Sequence, residues 1–246
     1  RVHNQISTRR LRIVKYRGTA HGTNEYPFLI DQDGFSVLPV SSLGLNHTVH
    51  ETRIPSGVAD LDAMVSGGGF HRGSSILISG VAGSGKSTIS ASFVDAACAR
   101  GERALYFSFE ESAAQVVRNM KSVNLDLGRW LDAGLLHYVA ARPTFYSLEM
   151  HLAVMLREIA RFDPEVVVLD PISAFTGSGE QLEVQSMLLR IVDSIKARGI
   201  TAVFTHLMHT QEGASETDAG LSSLMDAWIL LLNRETYGEF NRELYL

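Results

Sequence analysis

A glycine-rich segment at residues 80–87 constrains the fold of this chain more than any other feature. It reads Gly80-Val81-Ala82-Gly83-Ser84-Gly85-Lys86-Ser87 and fits the phosphate-binding pattern G-x-x-x-x-G-K-[S/T]. The apolar stretch 75–79 before it predicts a buried strand, and Ile89, Phe93 and Ala97 after it recur at helical spacing. A strand, a tight glycine loop and a helix in this order are typical of an α/β nucleotide-binding domain.

The chemistry of this loop predicts ATP and Mg²⁺ binding. Glycines let backbone N–H groups and the positive helix N-terminus face the phosphates, while Lys86 reaches the outer phosphates. Ser87 supplies a hydroxyl to Mg²⁺. The predicted nucleotide-binding residues of the loop are Gly80, Val81, Ala82, Gly83, Ser84, Gly85, Lys86, Ser87 and Thr88.

The pattern from residue 53 onward predicts one α/β domain, 53–246, with a mostly parallel, twisted sheet flanked by helices. Apolar segments alternate with amphipathic ones, and several are apolar at consecutive positions, as in strands buried on both faces. The predicted strands are 75–79, 104–109, 166–169, 201–205 and 227–232.

Residues 1–52 predict a small β-rich N-terminal segment. Residues 11–16 alternate between apolar and polar side chains as a strand does. The short apolar stretches 26–30 and 35–40 are separated by turn residues and predict a hairpin.

Composition narrows the classes of function. The 246 residues are 45% hydrophobic and carry 22 basic against 27 acidic side chains, which gives a net charge of -5. This acidic balance argues against electrostatic binding of nucleic acid. The single cysteine, Cys98, indicates a reducing compartment, and we expect a cytoplasmic protein in which Cys98 packs within a helix. The longest apolar runs, 166–169 and 228–232, are too short to cross a membrane.

Two sets of carboxylates follow predicted strands. Asp170 follows the apolar run 166–169, and an acid at the end of such a strand coordinates the metal in phosphate-binding proteins. Without the loop upstream, an aspartate that caps the following turn would be an equal alternative. Glu110 and Glu111 follow the strand 104–109, so one of them is expected to act as a base and Glu110 also to hold Mg²⁺. A capping box of Ser112 with Gln115 is a compatible alternative reason for acids there.

Ser222 and Ser223 lie in a polar loop before the last strand. From spacing alone such hydroxyls indicate caps or solvated side chains. His206 and His209 do not predict a zinc site, because no cysteine or carboxylate cluster completes a ligand set.

Further motifs precede the phosphate-binding loop, namely Ser56-Gly57-Val58, Leu61-Asp62 and Gly67-Gly68-Gly69-Phe70. Together with the loop, Phe109-Glu110-Glu111 and Asp170, they resemble the KaiC family, the circadian-clock ATPases and autokinases of the RecA-like superfamily. The resemblance covers nearly the whole chain and implies a RecA-like P-loop NTPase fold.

The resemblance also implies roles for residues that spacing leaves undecided. Family members carry two tandem domains, so residues 1–52 would be the end of a preceding RecA-like domain and a linker. Lys15, Arg17 and His21 match an element that reaches a neighbouring subunit's nucleotide in that preceding domain. Arg242 matches a nucleotide-contacting arginine, whereas Val123 stands where the family has an aromatic residue near the adenine.

By the same resemblance, Ser222 and Ser223 match the two adjacent residues that the family phosphorylates on itself, with Thr217-Asp218 beside them. The family pair is Ser-Thr, whereas this one is Ser-Ser. Glu110 would be the general base, assisted by Glu111, and the serines would receive phosphate from ATP bound to an adjacent subunit of a homohexameric ring. KaiB-like or other clock proteins are implied as partners.

Two other classes of function remain open from the sequence. A RecA-like DNA motor or recombination mediator would share the loop, the second-strand acid and the ring, but the loop 208–219 holds Glu212, Glu216 and Asp218 and no basic residue. The other is a nucleotide-gated scaffold that binds ATP and assembles with little hydrolysis.

Overall fold

The computed structural model describes residues 2–3, 6–7, 9–31, 34–37, 50–208, 221–236 and 239–246. His209, Thr217, Asp218 and the acidic positions of the loop 209–220 lie outside the described residues.

Short strands form the N-terminal part, and strands then alternate with helices. The strands are β1 (Val2–His3), β2 (Ile6–Ser7), β3 (Arg10–Leu11), β4 (Tyr26–Asp31), β5 (Gly34–Val37), β6 (Arg53–Ile54), β7 (Phe70–His71), β8 (Ser75–Gly80), β9 (Ala104–Ser108), β10 (Leu136–Ala140), β11 (Val166–Asp170), β12 (Thr201–Leu207), β13 (Ala227–Thr236) and β14 (Glu239–Tyr245). The helices are α1 (Ala59–Met64), α2 (Lys86–Ala99), α3 (Ala113–Lys121), α4 (Gly128–Asp132), α5 (Leu148–Phe162) and α6 (Gln181–Ala197).

The central sheet has the order β10-β9-β11-β12-β8-β13-β14. All neighbouring strands are parallel except β14, which runs antiparallel to β13. The predicted mostly parallel α/β sheet is therefore confirmed, and β10 is a strand that the sequence did not predict. Because the strands run the same way, the loops after β8, β9, β11 and β12 meet at one edge of the sheet.

The two faces of the sheet are covered by different helices. On one face, Ile76, Ile78, Val166 and Val168 pack with residues of α2 and α3. On the other, intervening strand residues such as Leu77 and Val167 pack with α5 and α6. This alternation follows from the strand period of two, and it explains why the strands are apolar at consecutive positions.

The N-terminal segment is only partly as predicted. β4 and β5 pair antiparallel from Phe28–Val37 to Asp31–Gly34, which confirms the hairpin within the described residues. The expected strand over 11–16 is wrong, since only β3 pairs, and β4 begins at its partner Tyr26. β4 packs on α5, and Arg10 forms an ion pair with Glu149 of that helix.

Cys98 is buried within α2, as predicted. Burial, with a smaller effect of Asp95, raises the pKa of its thiol to about 12, so the thiol stays protonated and unreactive. Among the helices described, none has the length and apolarity that crossing a membrane requires.

Candidate active site

The phosphate-binding loop connects the end of β8 to the start of α2. Gly83 and Gly85 have φ angles of 75° and 105°, in the left-handed region that favours glycine. A Cβ added at Gly80 would lie 2.6 Å from the hydroxyl of Ser84 and 2.8 Å from the carbonyl oxygen of Leu231. The glycines are thus required both by the curvature of the loop and by its close approach to β13.

Lys86, the first residue of α2, is buried and lies against the loop. Its ammonium group donates hydrogen bonds to the carbonyl oxygens of Gly80 and Val81, both at 2.8 Å. Burial lowers the pKa of Lys86, whereas the negative charges of Asp170 and then Glu110 act to raise it. Lys86 is therefore near enough to Asp170 and Glu110, two of the three predicted carboxylates, to feel their charges.

Asp170 ends β11 on the sheet face that α2 covers, because it shares the parity of Val166 and Val168. Its carboxylate is 8% exposed and accepts hydrogen bonds from the hydroxyls of Tyr106 and Thr205. Burial, then the charge of Asp170, raise the pKa of Tyr106 far above its usual value, so its hydroxyl remains a donor.

Glu110 and Glu111 follow β9 but differ in their surroundings. Glu110 is exposed near Lys86. Glu111 accepts a hydrogen bond from the side-chain amide of Asn119 at 3.2 Å, and its backbone N–H donates to the hydroxyl of Ser108 at 3.1 Å. Glu111 is thus held by hydrogen bonds to Asn119 and Ser108, while Glu110 is exposed.

The predicted capping box is present as well. The Ser112 hydroxyl accepts from the backbone N–H of Gln115, and the Gln115 side chain accepts from the backbone N–H of Ser112. The capping and catalytic interpretations of this segment are compatible, because the cap involves Ser112 and Gln115 and neither residue of the acidic pair.

The residues around the loop fit ATP and Mg²⁺. The hydroxyl of Ser84 is buried and has no hydrogen-bond partner within the part of the chain that the structure describes, which leaves a donor for a phosphate oxygen. A serine hydroxyl at Ser87 and a carboxylate at Asp170 are the hard oxygen ligands that Mg²⁺ prefers. Within the described ranges no group of three or more His, Cys, Asp or Glu is placed so that it could hold a metal ion.

Ser222 and Ser223 lie at the other edge of the sheet. Within the described residues they lie in a helical turn that includes Leu221, with Ser222 half-buried and Ser223 exposed. The backbone N–H of Asp226 donates to the carbonyl of Ser75, the first residue of β8, at 2.8 Å. The two serines therefore precede β13 on the side of the sheet where β8 begins. The phosphate-binding loop lies on the opposite side, where β8 ends.

Comparison with known proteins identifies the family. The family model described as the KaiC ATPase matches residues 54–246.

This chain belongs to the KaiC family.

Curated relatives agree with this assignment. The chain is 46% identical over 244 residues to the circadian clock protein KaiC2 of Synechocystis sp. (98% of this chain, 43% of the relative). It is 37% identical to the circadian clock oscillator protein KaiC of Synechococcus elongatus over 95% of this chain and 45% of the relative, and 37% identical to KaiC3 of Synechocystis sp. over 95% and 46%. The chain spans less than half the length of these relatives. Its mostly parallel sheet flanked by helices is the RecA-like fold of the KaiC ATPase domain.

The remaining residues that the KaiC resemblance selected lie in the N-terminal segment, on β14 and just after α3. Lys15 and Arg17 are exposed in a stretch without helix or strand, and His21 Nδ1 lies 3.5 Å from the carbonyl oxygen of Thr19. Arg242 is exposed on β14 and pairs with Asn233 of β13. Asn233 lies two residues after Leu231, which pairs with Gly80 at the start of the phosphate-binding loop. Val123 is 49% exposed just after α3.

Sequence reasoning missed four residues that hold the KaiC site together. Their signal is weak, because hydroxyl and amide groups inside apolar segments show a role only when neighbouring strands are known. They are Tyr106, Asn119, Tyr138 and Thr205.

Proposed function

We propose that this chain is the catalytic part of an ATP-dependent serine autokinase with ATPase activity, which acts between subunits of a homohexameric ring. ATP would bind at the phosphate-binding loop with Mg²⁺ near Ser87 and Asp170. Ser222 and Ser223 would be the phosphate acceptors. Lys15, Arg17 and His21 would serve the nucleotide site of a preceding domain, which residues 1–52 would end, and 53–246 would form the autokinase domain.

The separation of the acceptor serines from the loop supports the inter-subunit part of the proposal. β8 extends from Ser75 to Gly80, a length of about 17 Å at ~3.3 Å per residue. Reacting atoms must approach to about 3–3.5 Å for transfer. The serines precede a strand that pairs with β8 from its start, whereas ATP would bind after the end of β8, so this separation favours ATP on another copy of the chain.

The charges at the site support phosphoryl transfer. Lys86 and the loop N–H groups would stabilise negative charge on the transferred phosphoryl group, as would Arg242 if it reaches the nucleotide. Ser87 and Asp170 would hold Mg²⁺, which would neutralise charge on the phosphates. Lys86 is already close enough to Asp170 and Glu110 for their charges to affect its pKa.

Glu110 is the better of the two candidates for the base. Its carboxylate is exposed beside Lys86, whereas that of Glu111 is bonded to Asn119. Glu110 would accept the proton of the incoming serine hydroxyl as the new Ser Oγ–P bond forms and the bond from the γ-phosphorus to ADP breaks. Glu111 would position this segment, and water in place of serine would give ATP hydrolysis by the same steps.

Our proposals on regulatory partners and location are based on the relatives, which are named as circadian clock proteins. We propose a cytoplasmic protein that interacts with KaiB-like or other clock proteins. The net charge of -5 supports this over the DNA-motor alternative.

Intact-mass measurement after incubation of the full-length protein with Mg-ATP tests the autokinase. The parent should gain phosphate, whereas Ser222→Ala/Ser223→Ala and Glu110→Gln should not. A parent that hydrolyses ATP but gains no phosphate would overturn the autokinase proposal. Tight binding of single-stranded DNA that weakens steeply with salt would favour the DNA-motor alternative instead.

A further inference from the structure

The carboxylate of Asp170 is held by two neutral hydroxyl groups from neighbouring strands. β11 lies between β9 and β12 in the sheet, and Tyr106 from β9 and Thr205 from β12 each donate to a different carboxylate oxygen. Because each oxygen has two lone pairs, each keeps capacity to accept a further bond. The donors fix the carboxylate without neutralising its charge.

Tyr106 makes this contact from a fully buried position. Its side chain is 0% exposed, and its ring stacks on that of Tyr138 with 5.1 Å between centroids and an interplanar angle of 17°. The stack fixes the ring, so the direction of the hydroxyl toward Asp170 is also fixed. A phenylalanine would fill the same apolar space, hence the hydroxyl must be explained by the carboxylate that it contacts.

Tyr138 has a similar ring but a different target. Its hydroxyl donates to the backbone carbonyl of Glu111 at 3.1 Å rather than to Asp170. The two stacked tyrosines thus hold two different parts of the site, one the carboxylate after β11 and the other the acidic segment after β9.

We propose that Tyr106 is a positioning residue for the metal, which acts by fixing the Asp170 carboxylate in the orientation that Mg²⁺-ATP requires. This inference rests on the proposed function, in which Asp170 contributes to Mg²⁺ binding. Partners that orient a ligand in this way typically change metal affinity or activity by about 10–100-fold when removed. Tyr106 itself does not touch the nucleotide or the metal.

The test measures how much Mg²⁺ strengthens nucleotide binding in the full-length protein. A fluorescent, non-hydrolysable ATP analogue is titrated once with Mg²⁺ and once with EDTA, and the ratio of the two dissociation constants gives the gain due to the metal. Tyr106→Phe should reduce this gain about tenfold and leave the affinity in EDTA unchanged. Tyr146→Phe, at an exposed tyrosine whose ring lies against His151 of α5, is the matched control and should keep the gain of the parent.

Thr205→Val removes the other donor and gives a second, independent variant. Like Tyr106→Phe, it should reduce the gain in nucleotide affinity due to Mg²⁺. The melting temperature of each variant, measured without nucleotide, shows whether the variant is folded. Retention of the full gain by a folded Tyr106→Phe would overturn the inference. So would an equal loss in Tyr146→Phe, since the effect would then not be specific to the contact with Asp170.

Asp170→Asn separates this inference from the proposed function beneath it. If Asp170→Asn keeps the gain of the parent, or the parent has none, the assignment of Asp170 to Mg²⁺ fails and the inference with it. If the gain depends on Asp170 but not on Tyr106, only the positioning role fails.

Discussion

Asp226 accepts hydrogen bonds from both the backbone N–H and the hydroxyl of Ser75, at 2.7 and 2.9 Å. The other carboxylate oxygen accepts from the ammonium group of Lys196 on α6 at 2.7 Å. Asp226 follows the turn that carries Ser222 and Ser223, so these bonds fasten that turn to the start of β8 and to α6. Disturbing Asp226 should therefore affect both stability and the presentation of the serines.

Replacement of Asp226 by asparagine should lower stability in a pH-dependent way. Burial raises the pKa of Asp226, but the bonds from Lys196 and Ser75 outweigh it, so the pKa is lower than in the unfolded chain. The stabilisation is therefore present above the unfolded pKa and is lost as pH falls through the folded pKa. Melting temperatures of parent and Asp226→Asn should differ near neutral pH and converge in acid.

The exposed Asp132 offers a matched control for this pH series. Asp132→Asn should follow the parent across the pH range. A constant difference between Asp226→Asn and the parent down to acidic pH would contradict the role of charge.

Lys86→Ala should remove most ATP turnover. The ammonium group is the loop's only side-chain cation within residues 80–88 and would stabilise charge on the transferred phosphoryl group. We expect a rate loss of at least about a hundredfold, measured as ADP release at saturating Mg-ATP. Lys121→Ala on the exposed end of α3 should retain the parent rate, and comparable losses in both variants would argue against the site.

Glu110→Gln and Glu111→Gln should have unequal effects. Loss of a general base typically costs about 10²–10⁴-fold in rate, which we expect for Glu110→Gln in phosphate transfer to serine. Glu111→Gln keeps the acceptor oxygen toward Asn119, so its effect should be smaller. A larger loss at Glu111 would reverse the assignment of base and positioning residue.

Gly85→Ala should weaken nucleotide binding although no atom lies within 4 Å of the added methyl group. The φ angle of 105° is strained for alanine, at a cost of about 1–3 kcal/mol. Relief of this strain would change the loop just before Lys86. Gly101→Ala, at an exposed glycine with a φ of 80° after α2, is the control, and equal nucleotide affinities in the two variants would contradict the proposed loop geometry.

Sequence reasoning predicted the parts of the site that lie in single, continuous segments of the chain. The loop at 80–87 and the acid after the run 166–169 each lie in one short stretch, and the structure puts Lys86, Glu110 and Asp170 together at the carboxyl edge as the parallel sheet predicts. The capping box at Ser112 was visible for the same reason.

What the sequence did not reveal depends on which strands are neighbours. The bond from Tyr106 to Asp170 exists because β9 and β11 are adjacent, although 64 positions separate the two residues. β10 was missed because His137 and Tyr138 interrupt its apolar pattern. The predicted strand over 11–16 failed because a strand needs a partner, and β4 pairs only as far as Tyr26.

The most direct test of phosphate transfer between subunits combines two variants that are each inactive for a different reason. Lys86→Ala keeps both serines but lacks the lysine for ATP, whereas Ser222→Ala/Ser223→Ala keeps the ATP site but lacks the acceptors. The two full-length chains are co-expressed so that mixed assemblies form, incubated with Mg-ATP and separated by intact mass. We expect phosphate on the Lys86→Ala chain only in the mixture; a parent that is phosphorylated while the mixture remains unmodified would contradict transfer between subunits.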